Sequence, residues 1–363
     1  MQGVILHIKR LDWVIIASAI LLTGIGLLSI YSSSLSGGDF FNLQKQTGFL
    51  AVGFFLMMLL SFFDWRIFKN DSYFILAIYL LSLFALVGLY YLAPEIRGVK
   101  SWYKIGPFAI DPIEFTKIIL IILIAKFFSL RHIEMYKVGH IIFSGLYVFI
   151  PATLIFFQPN FGPAIILILF WGVILIVSGI KIRHFILLSL LGLLSLALIW
   201  SFLLKDYQQE RITSFLQPQE EPLGIGWNQK QAQIAIGAGS LFGQGIGNGS
   251  QTQYGFLPLP HTDFIFASLA EETGIIGVTI ILGLFSLLIW RILRIALRQQ
   301  SNFPRLFATG FAIILIIEIF IHVGMNLGML PIIGISLPLV SYGGSGLIAA
   351  YIGLGILQSI KAN

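Results

Sequence analysis

The chain contains no cysteine, which excludes disulfides, thiolate metal sites and a cysteine nucleophile. Charge is scarce too: Asp, Glu, Lys and Arg supply 10% of the 363 residues, where soluble domains carry about 25%. No G-x-x-x-x-G-K-[ST] phosphate loop occurs anywhere. No polar linker divides the chain, so residues 1–363 read as one integral-membrane domain. The net charge of +6 would hint at nucleic acid in a soluble protein. Here orientation in a bilayer accounts for it, and no nucleic-acid partner is expected.

What the sequence has in abundance is apolar residues, 57% of the total. Runs of about 20 such residues, enough to cross a bilayer as helix, recur throughout. Ten segments stand out, near 11–32, 46–63, 72–92, 108–128, 139–157, 161–178, 182–203, 264–290, 305–327 and 337–359. The fold class is therefore an all-α polytopic membrane protein with about ten transmembrane helices. The run from Val14 to Ile30 reads as the first span and not as a cleaved signal, because no small-residue cleavage site follows it. With a cytoplasmic N-terminus, 14 of the 22 basic residues fall on the inner side, seven outside, and Lys117 within a span. The positive-inside rule thus places both termini in the cytoplasm and a large extracytoplasmic loop, about 204–263, between helices 7 and 8. Inside that loop, "DYQQERITSFLQ" spaces Tyr207, Arg211, Ile212 and Phe215 as an interfacial helix would.

Ionisable residues within a span are costly, and they mark candidate sites. Asp111, Glu114 and Lys117 stand three apart in "DPIEFTK", on one helical face. They form either a structural ion pair or a polar wall facing a charged ligand. In "LPLPHTDFIFASLAEETG", Asp263 lies where span eight begins, as a helix N-cap or as a functional carboxylate at the membrane rim. Glu271 and Glu272 lie deeper and to other sides of that helix, in positions suited to hydrogen bonding with neighbouring helices. Glu318 and His322, four residues apart, read as a structural pair. The glycine-rich stretch 243–249 offers either a turn or a backbone nest for phosphate oxygens. "LVSYGGSG" (339–346) sets Ser341, Tyr342 and Ser345 among glycines that permit close approach by a helix or a ligand.

Three blocks together resemble the SEDS family (shape, elongation, division and sporulation). They are "QIAIGAGSLFGQGIGNGSQTQYGFLPLPHTDFIFASLAEETG" (233–274), "NLGMLPIIGISLPLVSYGGSG" (326–346) and "YQQERITSFLQP" (207–218). The resemblance runs through all ten segments. It implies a peptidoglycan glycosyltransferase that polymerises lipid II for cell elongation and shape, beside a class B penicillin-binding protein, in the bacterial cytoplasmic membrane. Carried over by position, Asp263 falls on the family's essential aspartate. Glu114 and Lys117 fall on Q-P-S-E-x-x-K, and Arg97 on the first arginine of R-G-x-x-R-W. Lys100, Gln251, Ser341, Tyr342 and Ser345 complete the substrate-binding set that the resemblance implies. The chain departs from the pattern in three places. Asp111-Pro112-Ile113 stands for Q-P-S, Ser101 replaces the second arginine with Lys100 beside it, and "QPNFGP" puts Asn160 and Pro163 into Q-P-D-x-G-T.

The implied chemistry suits these residues. The leaving group of lipid II is a pyrophosphate, already a weak base, so one general base suffices where ordinary glycoside hydrolysis uses two carboxylates. The substrate carries its own energy, which agrees with the missing nucleotide motif. A divalent cation, Mg or Mn, would help hold pyrophosphate, but no complete ligand set is legible and the metal is left open. Ten spans with internal charges also fit a lipid II flippase or transporter, which would move lipid without covalent change. A scaffold that only recruits cell-wall enzymes would do neither.

Overall fold

The computed structural model describes residues 2–95, 98–130, 138–202, 209, 213, 215 and 225–363. A short amphipathic helix, α1 (Gln2–Arg10), precedes α2 (Trp13–Leu35) and α3 (Phe41–Ser61). Then come α4 (Arg66–Asn70), α5 (Ser72–Leu92) and a hairpin of β1 (Tyr103–Ile105) and β2 (Phe108–Ile110). The helices α6 (Pro112–Ser129), α7 (Val138–Phe157), α8 (Phe161–Val177) and α9 (Ile182–Phe202) follow. The long loop itself contains α10 (Ile225–Ala238) and α11 (Ser250–Gln253), and after it come α12 (Ile265–Arg298), α13 (Asn302–Asn326) and α14 (Gly344–Ala362).

Each of the ten apolar segments carries a helix, and eight of these are long and apolar enough to cross a membrane. The other two differ for physical reasons. Helix α6 carries Glu114, Lys117 and Lys126, and α8 has 17 residues. The centre of the bundle is α13 and α14, with 72% and 78% of their apolar windows buried, while the window of α9 is 0% buried. In a membrane, helices associate through close packing and polar contacts more than through water exclusion. The glycines show this. A Cβ on Gly355 of α14 would lie 2.9 Å from the Met57 backbone of α3, and one on Gly53 would lie 3.1 Å from the Tyr351 ring.

The two chain termini share one end of the bundle, where Lys361 Nζ donates to the Arg10 carbonyl at 3.2 Å. A polar staple closes this end. Asp12 caps α2 by accepting from Ile15 N–H and also accepts from Arg291 Nη2 at 2.6 Å. Gln358 meanwhile accepts from the Asp12 N–H at 2.8 Å and donates to its carbonyl at 3.0 Å. The opposite end, which carries the long loop, holds the hairpin and the irregular stretch 327–343.

Three differences from the sequence reading bear on the site. Phe108–Ile110 is a strand, and α6 starts only at Pro112, where the Asp111 carboxylate accepts from Ile113 N–H at 2.9 Å. The helix of span ten starts at Gly344, not near 337, since Pro338 lacks an N–H and Leu339 holds φ 65°, outside the helical region. Span eight is not continuous: Gly274 adopts φ 65° and ψ −165° and breaks α12 one turn past Glu271. A Cβ there would lie 2.4 Å from Gly243 N, so the glycine-rich loop docks into the break. The expected interfacial helix at 206–217 lies outside the described residues apart from 209, 213 and 215.

Candidate functional site

A cavity of about 450 Å³ opens at the loop end of the bundle. Its charged lining comes from four separate parts of the chain: Lys45 of α3, Asp111 just before α6 with Glu114 and Lys117 within it, Asp263 before α12, and Glu318 of α13. Tyr342 and Ser345 complete it from the turn that enters α14.

Lys117 is 5% exposed and lies between two carboxylates. Glu114 Oε2 is 2.7 Å from its ammonium on the same helix, and Glu318 Oε1 approaches from α13. The sequence reading of a Glu114–Lys117 pair therefore holds, and Glu318 extends it. Glu318 does not pair with His322. The His322 ring turns instead to the carbonyl of Ile335, with Nδ1 at 2.7 Å. Glu318 is the main site residue that sequence reasoning misassigned. Its signal was present, an ionisable side chain inside an apolar span, but its partner sits on a helix distant in sequence. Lys45 was also overlooked. Its Nζ donates to the Pro107 carbonyl at 2.6 Å and lies 4.0 Å from the Phe41 ring centroid, which ties α3 to the hairpin above the cavity.

Asp263 does not occupy the N-cap of α12; Phe264 does. The half-buried Asp263 lies in a turn anchored from two sides. Asn326 Nδ2 donates to the Asp263 carbonyl at 3.0 Å, and Asn326 Oδ1 accepts from Ala267 N–H at 3.2 Å. On the other side, Ser341 Oγ donates to the Thr262 carbonyl at 2.9 Å, and Tyr342 N–H donates to the His261 carbonyl at 2.8 Å. Ser341 is buried and also accepts from Leu337 N–H, so its contacts lie within the fold and it does not line the large cavity. Ser345 Oγ accepts from Asp111 N–H at 2.8 Å, which joins the starts of α6 and α14 at the cavity wall.

The remaining expected residues separate from this group. Arg97 lies outside the described residues. Lys100 is half-buried and does not line the cavity, although its neighbours Val99 and Trp102 do. Gln251 is elsewhere. Its N–H donates to Glu271 Oε1 at 2.6 Å, beside Thr252 N–H to Oε2 at 3.1 Å. Glu272 accepts from Ser32 Oγ and from Gly247 N–H at 3.2 Å. The two glutamates thus fill the glycine-rich loop with their own oxygens, which removes the phosphate-nest reading and confirms their role as hydrogen-bonding anchors. Among the described residues, no group of three or more His, Asp or Glu side chains is placed to hold a metal ion. The carboxylates near α6 converge on Lys117 instead.

Two departures from the sequence pattern meet in space. Asn160 Nδ2 donates to Ser101 Oγ at 2.8 Å, with Ser101 fully buried. A neutral pair stands where the family motifs carry arginine and aspartate.

With this geometry in hand, comparison with known proteins is decisive. Residues 12–363 match the cell cycle protein family of FtsW, RodA and SpoVE. The chain belongs to that family. It is 35% identical over 340 residues to the peptidoglycan glycosyltransferase MrdB of Escherichia coli strain K12, covering 93% of this chain and 91% of that one. It is 35% identical over 361 residues to stage V sporulation protein E of Bacillus subtilis strain 168, covering 96% of each. Among solved structures, it resembles a peptidoglycan synthase complex that coordinates polymerisation and crosslinking, with TM-score 0.82, 32% identity and 97% coverage of both chains. It also resembles the rod shape determining protein RodA of Thermus thermophilus, with TM-score 0.70, 28% identity, and 97% and 96% coverage. The FtsW/RodA/SpoVE assignment therefore spans the whole cavity, from Lys45 to Ser345.

Proposed function

We propose that this protein is a RodA-like peptidoglycan glycosyltransferase whose cavity joins lipid II units into glycan strands. The observation that carries this reading is the cavity, where Asp263 shares one lining with the Glu114–Lys117–Glu318 cluster and Lys45. The 4-hydroxyl of an acceptor sugar attacks the anomeric carbon of a lipid-linked donor. The bond from that carbon to the pyrophosphate oxygen breaks, and the lipid pyrophosphate leaves with the bonding electrons. Asp263 accepts the hydroxyl proton, and Lys45 with Lys117 supplies positive charge toward the leaving oxygens. No second acid is needed, because pyrophosphate is a weak base. A divalent ion carried in with the pyrophosphate would add charge at the same place. The relatives' names favour transfer over transport, so the flippase reading is the weaker one.

The positive-inside balance supports a bacterial inner-membrane location with both termini in the cytoplasm and the cavity opening on the outer face. A crosslinking partner, a class B penicillin-binding protein, fits the likeness to a complex that both polymerises and crosslinks. The deciding experiment is polymerisation of purified lipid II, with and without that partner, read as glycan length on a gel. Lipid movement across liposomes without any polymer would sink the proposal.

A further inference from the structure

The cavity carries an unexpected charge balance. Asp111, Glu114, Asp263 and Glu318 line it, against Lys45 and Lys117. A site for a diphosphate headgroup would bind more tightly with the opposite balance. The excess is concentrated at Lys117. Its ammonium has three N–H donors, and carboxylates of Glu114 and Glu318 each take one. One carboxylate is enough to compensate one buried ammonium, and Glu114 already does so from the next turn of α6. Desolvating a second carboxylate against the same cation has a cost that the fold's charge balance does not require. Glu318, coming from α13, is the added one.

We propose that Glu318 sets the strength of the diphosphate site by partly neutralising Lys117, so that the diphosphate leaving group is held during transfer and released after it. The inference rests on the glycosyltransferase reading of the cavity. A polymerase repeats its reaction, and a leaving group bound too tightly blocks the next cycle. Lys117 unopposed would hold the product, while Lys117 held between two carboxylates offers one remaining N–H and a reduced field. Glu318 is in this sense a positioning residue that acts through Lys117.

The test uses the full-length protein in lipid nanodiscs, with inorganic pyrophosphate and a polyprenyl diphosphate as probes. Glu318→Gln keeps the size and a hydrogen-bond acceptor but removes the charge. A unit charge removed about 6–12 Å from an anion shifts its affinity by roughly ten- to a hundredfold at an effective dielectric of about 20. Glu318→Gln should therefore bind both probes at least about tenfold more tightly. It should also show a lower KM for lipid II and a lower kcat limited by product release. Glu318→Asp, which returns the charge, should restore the weaker binding. If Glu318→Gln does not accumulate as folded protein, Glu318→Met makes the same charge change without a polar group and carries the same expectation. A purely structural Glu318 predicts unchanged or weaker probe binding in every neutral variant, and that result overturns the proposal. The two readings separate cleanly. Wild-type protein that never polymerises lipid II, with tighter diphosphate binding in Glu318→Gln, removes the polymerase reading and keeps the charge role. Active wild type with no tightening removes only the charge role.

Discussion

Asn326, near the C-terminal end of α13, holds the main chain of Asp263 with a 3.0 Å hydrogen bond to its carbonyl. The same amide donates to the His322 carbonyl at 2.8 Å and accepts from Ala267 N–H, so one buried side chain fastens the turn and the first helical residues after it. The main chain that carries Asp263 is thus held by the last residue of α13.

Asn326→Ala should lower kcat for lipid II polymerisation with little change in KM, because the carboxylate stays but its frame loosens. The buried Ala267 N–H loses its side-chain partner, which costs about 1–3 kcal/mol when nothing replaces it, and the half-buried Asp263 carbonyl loses its amide donor. Thermal unfolding in nanodiscs, measured beside steady-state kinetics, checks both effects. A rise in KM with kcat intact would place Asn326 outside the positioning of Asp263.

The neutral contact between Ser101 and Asn160 makes a second, independent prediction. Ser101→Arg alone places an unpaired cation in a fully buried position and should reduce folded yield strongly. Adding Asn160→Asp should recover much of that loss, since the pair then follows the family's motifs. The measurement is a double-mutant cycle on thermal stability, with a coupling of about 0.5–3 kcal/mol expected between contacting residues. Additive effects would show that the two positions do not act together.

These contacts also explain which parts of the architecture were legible in the sequence. The ten helices were, because apolar runs long enough to span need no partner to be recognised. The break at Gly274 was not, since a lone glycine in an apolar run gives no hint that Gly243 will approach within 2.4 Å of its would-be Cβ. Asp263, Glu114 and Lys117 were legible as costly charges in apolar surroundings. That they share one cavity was not, because α3, α6, α13 and the turn before α14 are brought together only by packing. Glu318 shows the limit most clearly. Helical spacing offered His322 as its neighbour, whereas the structure pairs it with Lys117, 201 residues away in sequence.

Partner docking gives a third prediction. The glycines of α12 are not equivalent as sites for a partner's helix. A Cβ on Gly277 would lie 1.9 Å from Thr273 Oγ1 of the same chain, whereas Gly283 is exposed with nothing within 4 Å. Close contact between membrane helices needs such small, open positions. Gly283→Leu should weaken co-purification with the proposed class B penicillin-binding protein and leave thermal stability unchanged. Intact co-purification would direct the search to another face of the bundle.

The last prediction concerns Asp263 itself. If it is the general base for the acceptor hydroxyl, Asp263→Asn removes the base while keeping size and polarity. Phe264, not Asp263, occupies the N-cap of α12, so loss of a helix cap does not compete as an explanation. The anchors of the turn are main-chain groups of Thr262 and Asp263, held by Ser341 and Asn326, and the substitution leaves them in place. The variant should therefore fold, bind its partner and retain lipid II affinity. Its polymerisation rate should fall by at least the roughly 10²-fold that a missing general base costs. Glycan products on a gel, beside a direct lipid II binding measurement, separate the two effects. Polymer made at near wild-type rate by Asp263→Asn would move the base elsewhere in the cavity, with Asp111 and Glu114 the carboxylates to change next.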